Sequence, residues 1–219
     1  MTTETLSYFE IAAGLPSGAA VTFHDVSWEE YEQLIDELGE ARGLRVRYND
    51  GTLEIMTVSS AHESYATFIN RLISHLSFRL RMNIRFFGSA TMRTKKKKKG
   101  SEPDACFYVQ SAPVIGNRIQ IDFAVDPPPD IVVEVDVHHD SRDKFSIYAA
   151  LGVPEIWRYD GEELTIHLLQ EDQYVEVERS LALPMLSGRA LTDFLARLPK
   201  DGESQTLVAF DEWLQTLPR

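Results

Sequence analysis

The chain has 219 residues, of which 34 are acidic and 22 basic, giving a formal net charge of −12. This balance excludes a protein that gathers nucleic acid by overall charge, so contact with DNA or RNA requires a local basic patch or a bound cation. The single cysteine, Cys106, excludes an internal disulfide framework and a zinc site built on several thiolates, and makes a reducing, cytoplasmic setting the default.

The N-terminus lacks a basic stretch followed by an apolar core, so no signal peptide is expected. No run approaches the ~18 apolar residues of a membrane span, so no membrane partner is expected either. Trp28–Leu38 reads as a short helix, with Ser27 as N-cap and acids in the first turn. Residues 44–48 alternate apolar and charged, Asn49-Asp50-Gly51 is a strong turn signal, and 52–56 completes a hairpin. The best helix runs over about 61–81, where Tyr65, Phe68, Ile69, Leu72, Ile73 and Leu76 form one apolar stripe.

Strands are expected at 83–87, 104–109 and 131–137, and a second helix at 142–151, closed by Gly152 and Pro154. Segments 155–159, 163–169 and 174–177 read as a meander turning at Asp160-Gly161, and helices are expected near 188–197 and 207–217. Segment 112–129 holds four of the ten prolines and reads as an insertion with a weak strand at 118–123. No internal repeat is visible. The order of elements suggests an α/β or α+β fold in a single domain. An N-terminal helix-hairpin leads into a mixed central sheet flanked by helices, with a core over about 20–170 and a C-terminal helical extension over about 178–219.

The chemistry concentrates in Asp130-Ile131-Val132-Val133-Glu134-Val135-Asp136. Its apolar run reads as a central strand. Side chains alternate, so Asp130, Val132, Glu134 and Asp136 share a face, with Glu134 and Asp136 roughly 6.5 Å apart at Cα. Two such carboxylates repel and lose hydration, so a cation, a lysine or solvent has to offset both. Pro103-Asp104 opens the preceding strand, where an acid is ordinarily a turn residue. Lys144 falls in the first turn of the following helix, against the helix dipole, which places either carboxylates or a phosphate nearby; the alternative is a solvated lysine pairing with Asp140 or Asp143. Tyr148 follows at i+4 on the same helix face. His62 lies about 50° from the centre of the apolar stripe and leans toward the sheet, as a site-lining group or a core histidine. Ser60-Ala61-His62-Glu63 matches a capping box, which assigns Glu63 to the helix start. Lys95, Lys96, Lys97, Lys98 and Lys99 are either a solvated loop or a phosphate contact just before Asp104.

Taken together, Pro103-Asp104, Glu134 on the next core strand and a lysine moved onto the following helix resemble the PD-(D/E)XK nuclease superfamily. More closely, the chain resembles the Uma-two family of restriction-endonuclease-like proteins. That match rests on Glu102-Pro103-Asp104, on 129–135, on Lys144-Phe145-Ser146-Ile147-Tyr148 running into 152–160, on the hairpin at 50–56 and on His62. It covers about 20–170. The chain departs from the family pattern after Glu134, where Asp136-Val137-His138-His139-Asp140 replaces a Leu-Ser-Pro-Ser type turn and position 136 is an acid. His138 and His139 are either added ligands or solvent-facing loop residues.

The resemblance implies metal-dependent cleavage of phosphodiester bonds in DNA. Asp104 and Glu134, with a main-chain carbonyl such as that of Val135, would hold Mg²⁺ or Mn²⁺, since hard cations take oxygen ligands. Lys144 would orient the water or meet developing charge. Asp136 would recruit a second ion or fix Lys144, and Glu63 would be a minor metal-site candidate. A duplex-cutting enzyme needs two sites, so a homodimer is expected. Two other readings stay open: a catalytically silent binding module on the same fold, and a hydrolase of small phosphate esters. Ser-His-Asp, Walker-type and dinucleotide-binding chemistry have no supporting motif.

Overall fold

The computed structural model describes residues 7–39, 43–137 and 140–217. The N-terminal part builds α1 (Tyr8–Ala13), β1 (Ala20–Phe23), α2 (Trp28–Leu38), β2 (Leu44–Asn49) and β3 (Thr52–Thr57). Ser27 and Glu30 cap α2 reciprocally, with each side chain accepting from the other's backbone N–H at 3.2 and 2.8 Å. The β2–β3 turn places both Asp50 and Gly51 at positive φ, the conformation a two-residue hairpin needs for its twist.

Next come α3 (Ser60–Leu80), β4 (Arg85–Phe86), β5 (Met92–Thr94), β6 (Lys99–Ser101), β7 (Ala105–Tyr108), α4 (Ala112–Ile115) and β8 (Ile131–Val135). A 3₁₀ turn (Arg142–Lys144) leads into α5 (Phe145–Leu151), followed by β9 (Glu155–Tyr159), β10 (Leu164–Gln170), β11 (Gln173–Val177), α6 (Gly188–Asp201) and α7 (Glu203–Thr216).

The fold is mixed α/β, with sheets flanked by helices. The mixed central sheet expected from the sequence is present, and another sheet stands beside it. One is a five-stranded antiparallel sheet of order β1-β3-β2-β6-β5, and the other has six strands in the order β11-β10-β9-β8-β7-β4. In the second, β8 pairs antiparallel with β7 and parallel with β9. A parallel pair needs a crossover, and the Arg142–Lys144 turn with α5 provides it. All five residues of β8 are buried, as its continuous apolar run requires.

Four apolar clusters form among the described residues, the smallest being Tyr108, Ala112 and Ile115 around α4. The main one lies between the six-stranded sheet and α3, α6 and α7, and includes Ile69, Leu72, Val133, Trp157, Leu195 and Phe210. The C-terminal helices α6 and α7 pack into this cluster through Leu191, Leu195, Phe210 and Leu214. A second cluster packs α1 and α2 on the five-stranded sheet. The third joins the two sheets through α5, with Met92, Cys106, Val132, Tyr148 and Ile156.

Segment 118–123 forms turns and bends rather than a strand. Its fixed point is Asp126, which accepts from the Asp122 N–H at 3.0 Å and pairs with Arg118, so local side-chain bonds compete with strand pairing. Among the described residues no helix is long and apolar enough to cross a membrane.

Candidate active site

Asp104 immediately precedes β7, whose register sets Ala105 opposite Val133. The Asp104 N–H donates to Val133 O at 2.9 Å, and its Oδ2 accepts from the Val135 N–H at 2.7 Å. Asp104 is thereby fixed beside Glu134. Val132 faces the cluster around α5 while Val133 and Val135 face the main core, so alternation turns Glu134 toward α5. There Lys144 Nζ donates to Glu134 Oε2 at 2.7 Å, and the Tyr148 hydroxyl donates to Oε1. Tyr148 in turn meets Ser101 Oγ at 3.1 Å. Asp104, Glu134 and Lys144 are all at most 5% exposed, which rules out the solvated-lysine reading of Lys144.

Asp104, Glu134, Val135, Asp136, His62 and Lys144 line one pocket with about 20 Å³ open to a water-sized sphere. A single water needs roughly 10–15 Å³ by that measure, so the enclosed part suits an ion or a water. Burial raises the Glu134 carboxyl, Lys144 pulls it down and neighbouring Asp104 raises it again, leaving it at about 7. Burial also opposes charge on Asp104, but the His62 contact, the Lys144 charge and the Val135 N–H hold it below its usual range. Lys144 loses hydration too, yet the charges of Glu134 and Asp104 keep it above the ordinary lysine value.

His62 is buried on the first turn of α3, with Nε2 2.9 Å from Asp104 Oδ2. Nε2 is therefore engaged with Asp104, while Nδ1 is buried without a hydrogen-bond partner. Ser59, not Ser60, caps α3, accepting from the His62 N–H at 3.2 Å. The one-residue shift frees Glu63 from the capping role read from the sequence. Glu63 lies outside the pocket, half-exposed, and pairs with Arg45 Nη2 at 3.2 Å; Arg45 Nε reaches Asp104 Oδ1 at 3.3 Å.

Asp136 does not contact Lys144 directly. Its Oδ2 accepts from the Ser141 N–H and Oγ at 2.9 and 3.0 Å and from Arg158 Nε at 2.5 Å. It bears on Lys144 through its charge and through the turn that carries it, with Oδ2 taken up by Ser141 and Arg158. Burial raises its carboxyl despite the Ser141 and Arg158 bonds. Asp130 sits outside β8 and ties the Val109 and Ser111 N–H groups at 2.6 and 2.9 Å, a structural role. His138 and His139 lie outside the described residues.

The lysine run is the tip of the β5–β6 hairpin. Lys95, Lys96 and Lys97 form a 3₁₀ turn, Lys98 takes φ 48°, and Lys99 begins β6. Lys95 Nζ lies 3.4 Å from Glu29 and 3.6 Å from Glu32 on α2, Lys97 donates to Ala150 O at 2.6 Å, and Lys99 donates to Asn49. Ala150 is at the C-terminal end of α5, so the lysine turn sits roughly 10 Å along that helix from Lys144.

Sequence reasoning did not single out Arg45, Arg47, Arg158 or Ser101. On β2, Val46 and Tyr48 face the α2 cluster, so Arg45 and Arg47 face the acids. The signal was the alternation itself, two arginines on one strand face in an acidic chain. Among the described residues no cluster of three or more His, Cys, Asp or Glu side chains takes metal-holding geometry. In this arrangement Glu134 is held by Lys144 and Tyr148 instead.

The fold and this buried acid–lysine pocket define an α/β protein with a polar centre at a strand crossover. Residues 28–198 match the Uma2 family model, described as "Putative restriction endonuclease", and the chain belongs to that family. A solved structure described as a putative nuclease belonging to DUF820, from Anabaena variabilis, is similar at 15% identity and a TM-score of 0.49, over 78% of this chain and 99% of that one. No curated protein matches the chain.

Proposed function

We propose that the chain is a metal-dependent endonuclease that hydrolyses phosphodiester bonds of DNA. The observation that carries the reading is the convergence of Asp104, Glu134 and Lys144, distant in sequence, on one buried pocket. The residues suit a hard divalent ion. Asp104 and Glu134 line the same pocket within reach of the Lys144 charge, and His62 leaves Nδ1 without a hydrogen-bond partner beside them. Asp104 and Glu134 would hold Mg²⁺ or Mn²⁺, with the Val135 carbonyl as third donor. Such an ion supplies polarisation of the phosphate and a water of lowered pKa.

The chain's own groups do the positioning. Tyr148 and Lys144 fix both oxygens of Glu134. Arg45 and the Val135 N–H fix Asp104. Lys144, kept protonated by its acids, meets the charge that develops on the phosphate oxygens or orients the attacking water. The lysine turn serves as an outlying phosphate contact, and cleavage of both strands brings two copies together as a homodimer. The buried single cysteine suits the reducing cytoplasm.

The test is nicking of supercoiled plasmid in Mg²⁺ or Mn²⁺ by the parent, Asp104→Ala and Glu134→Ala. Each variant is expected to lose about 10²-fold or more. Parental activity in both overturns the assignment. Calorimetry with the same ions separates the binding-module reading, which a parent that neither binds them nor cuts favours, and a phosphoester panel separates the small-ester hydrolase.

A further inference from the structure

We propose that Arg47 grips a phosphate of the substrate strand at the mouth of the acid pocket, releasing Asp143 to do so. The inference deepens the nuclease reading and rests on it for the nature of the substrate. Five acids and two cations, Arg47 and Lys144, line the pocket. A polyanion approaching this surface is repelled unless a cation meets it first. Lys144 is buried and committed to Glu134, which leaves Arg47 among the described lining residues.

The two partners of Arg47 differ in kind. Glu54, 17% exposed, accepts from Nη2 at 2.7 Å and anchors one edge of the guanidinium. Asp143 meets Nη1 and is 57% exposed. An ion pair open to water on one side is worth little and exchanges readily. A phosphate offers two acceptor oxygens to the planar fork, a better match than one exposed carboxylate oxygen. Position supports the assignment. Across β2–β6, Arg47 stands opposite Ser101, whose hydroxyl leads through Tyr148 to Glu134, and Asn49 stands opposite Lys99. Arg47 therefore lies between the acids and the lysine turn on one sheet face, so a single strand can run from one to the other.

The competing account is a clamp in which Arg47 ties β2 to the turn carrying Lys144 and never meets substrate. Both accounts expect Arg47→Ala to impair the protein, but they disagree on Asp143→Asn. The experiment is anisotropy titration of a labelled DNA duplex in Ca²⁺ across a salt series. Arg47→Ala is expected to weaken binding about tenfold or more and to flatten the log–log salt dependence by about one. Arg47→Lys restores the slope without the full affinity. Asp143→Asn binds as tightly as the parent or more tightly.

An unchanged slope in Arg47→Ala, an Asp143→Asn variant as weak as Arg47→Ala, or a parent that binds no duplex overturns the proposal. Should Arg47→Ala not fold, the other two variants decide. Arg47-dependent binding without plasmid nicking leaves this inference standing and removes the nuclease reading. Nicking at unchanged KM in Arg47→Ala does the reverse.

Discussion

Glu134 sits in surroundings that work against its charge. Burial takes away its water, Asp104 adds repulsion, and Lys144 alone supplies full positive charge at hydrogen-bond distance. The folded carboxyl is pushed up to about 7, against an ordinary value of 4.5. Between those values the folded chain holds a proton that the unfolded chain has released, so this group lowers stability as pH rises through that window. Removing Lys144 takes away the strongest pull in the other direction. Lys144→Met is therefore expected to cost about 3–5 kcal/mol near pH 8, the usual range for an orphaned buried charge. Near pH 5 the loss shrinks, because Glu134 then binds a proton in the folded state. Urea unfolding at the two pH values measures this, and an equal loss at both would show that the lysine acts through packing alone.

The short strand β6 couples the N-terminal sheet to the pocket, and its middle residue leaves little tolerance. A Cβ on Gly100 would fall 2.1 Å from the Tyr31 hydroxyl oxygen and 2.8 Å from Cζ. Tyr31 has no room to withdraw, being fully buried and stacked on Tyr48 with ring centroids 4.8 Å apart. Gly100→Ala is expected to cost about 1–3 kcal/mol of overpacking strain, read as a lowered urea midpoint at unchanged slope. Parental stability would mean that α2 lifts off the sheet easily.

Such close approaches are what sequence patterns do not carry. Periodicity placed α2, the β2–β3 hairpin, α3 and the 155–177 meander because each has its own local signal: a cap, an Asp-Gly turn, a stripe. It missed β1, β5 and β6, which are short and depend on partners far along the chain. The acids and Lys144 were legible because an acid inside an apolar run and a cation against a helix dipole each violate a local rule. Arg45 and Arg47 violate none. Alternation shows that they share a face, but which face meets Asp104 depends on how the second sheet docks. Glu63 was misassigned because Ser59 and Ser60 are both capable caps, and the helix starts one residue earlier than the box implies.

Across the whole molecule, the layers are tied in a way that makes partial unfolding costly. Phe210 on α7 is fully buried and packs on Phe194 at 5.0 Å and Trp213 at 5.6 Å, within the cluster that also holds Trp157 and the inner side chains of β8. The third cluster carries that contact through α5 to Met92 of the other sheet. A chain built this way is expected to unfold in one transition. Phe210→Ala is expected to cost about 3–5 kcal/mol and to lower the midpoint of the entire molecule rather than detach its last two helices.

The three tryptophans report on separate places: Trp28 on α2, Trp157 on β9 and Trp213 on α7. Fluorotryptophan NMR during a urea titration follows each one individually. Coincident loss of all three signals, in the parent and in Phe210→Ala, is the expected result. Earlier melting of Trp213 alone would mean that α6 and α7 form an appendage, and that the acid pocket draws its rigidity from the two sheets and α5 without them.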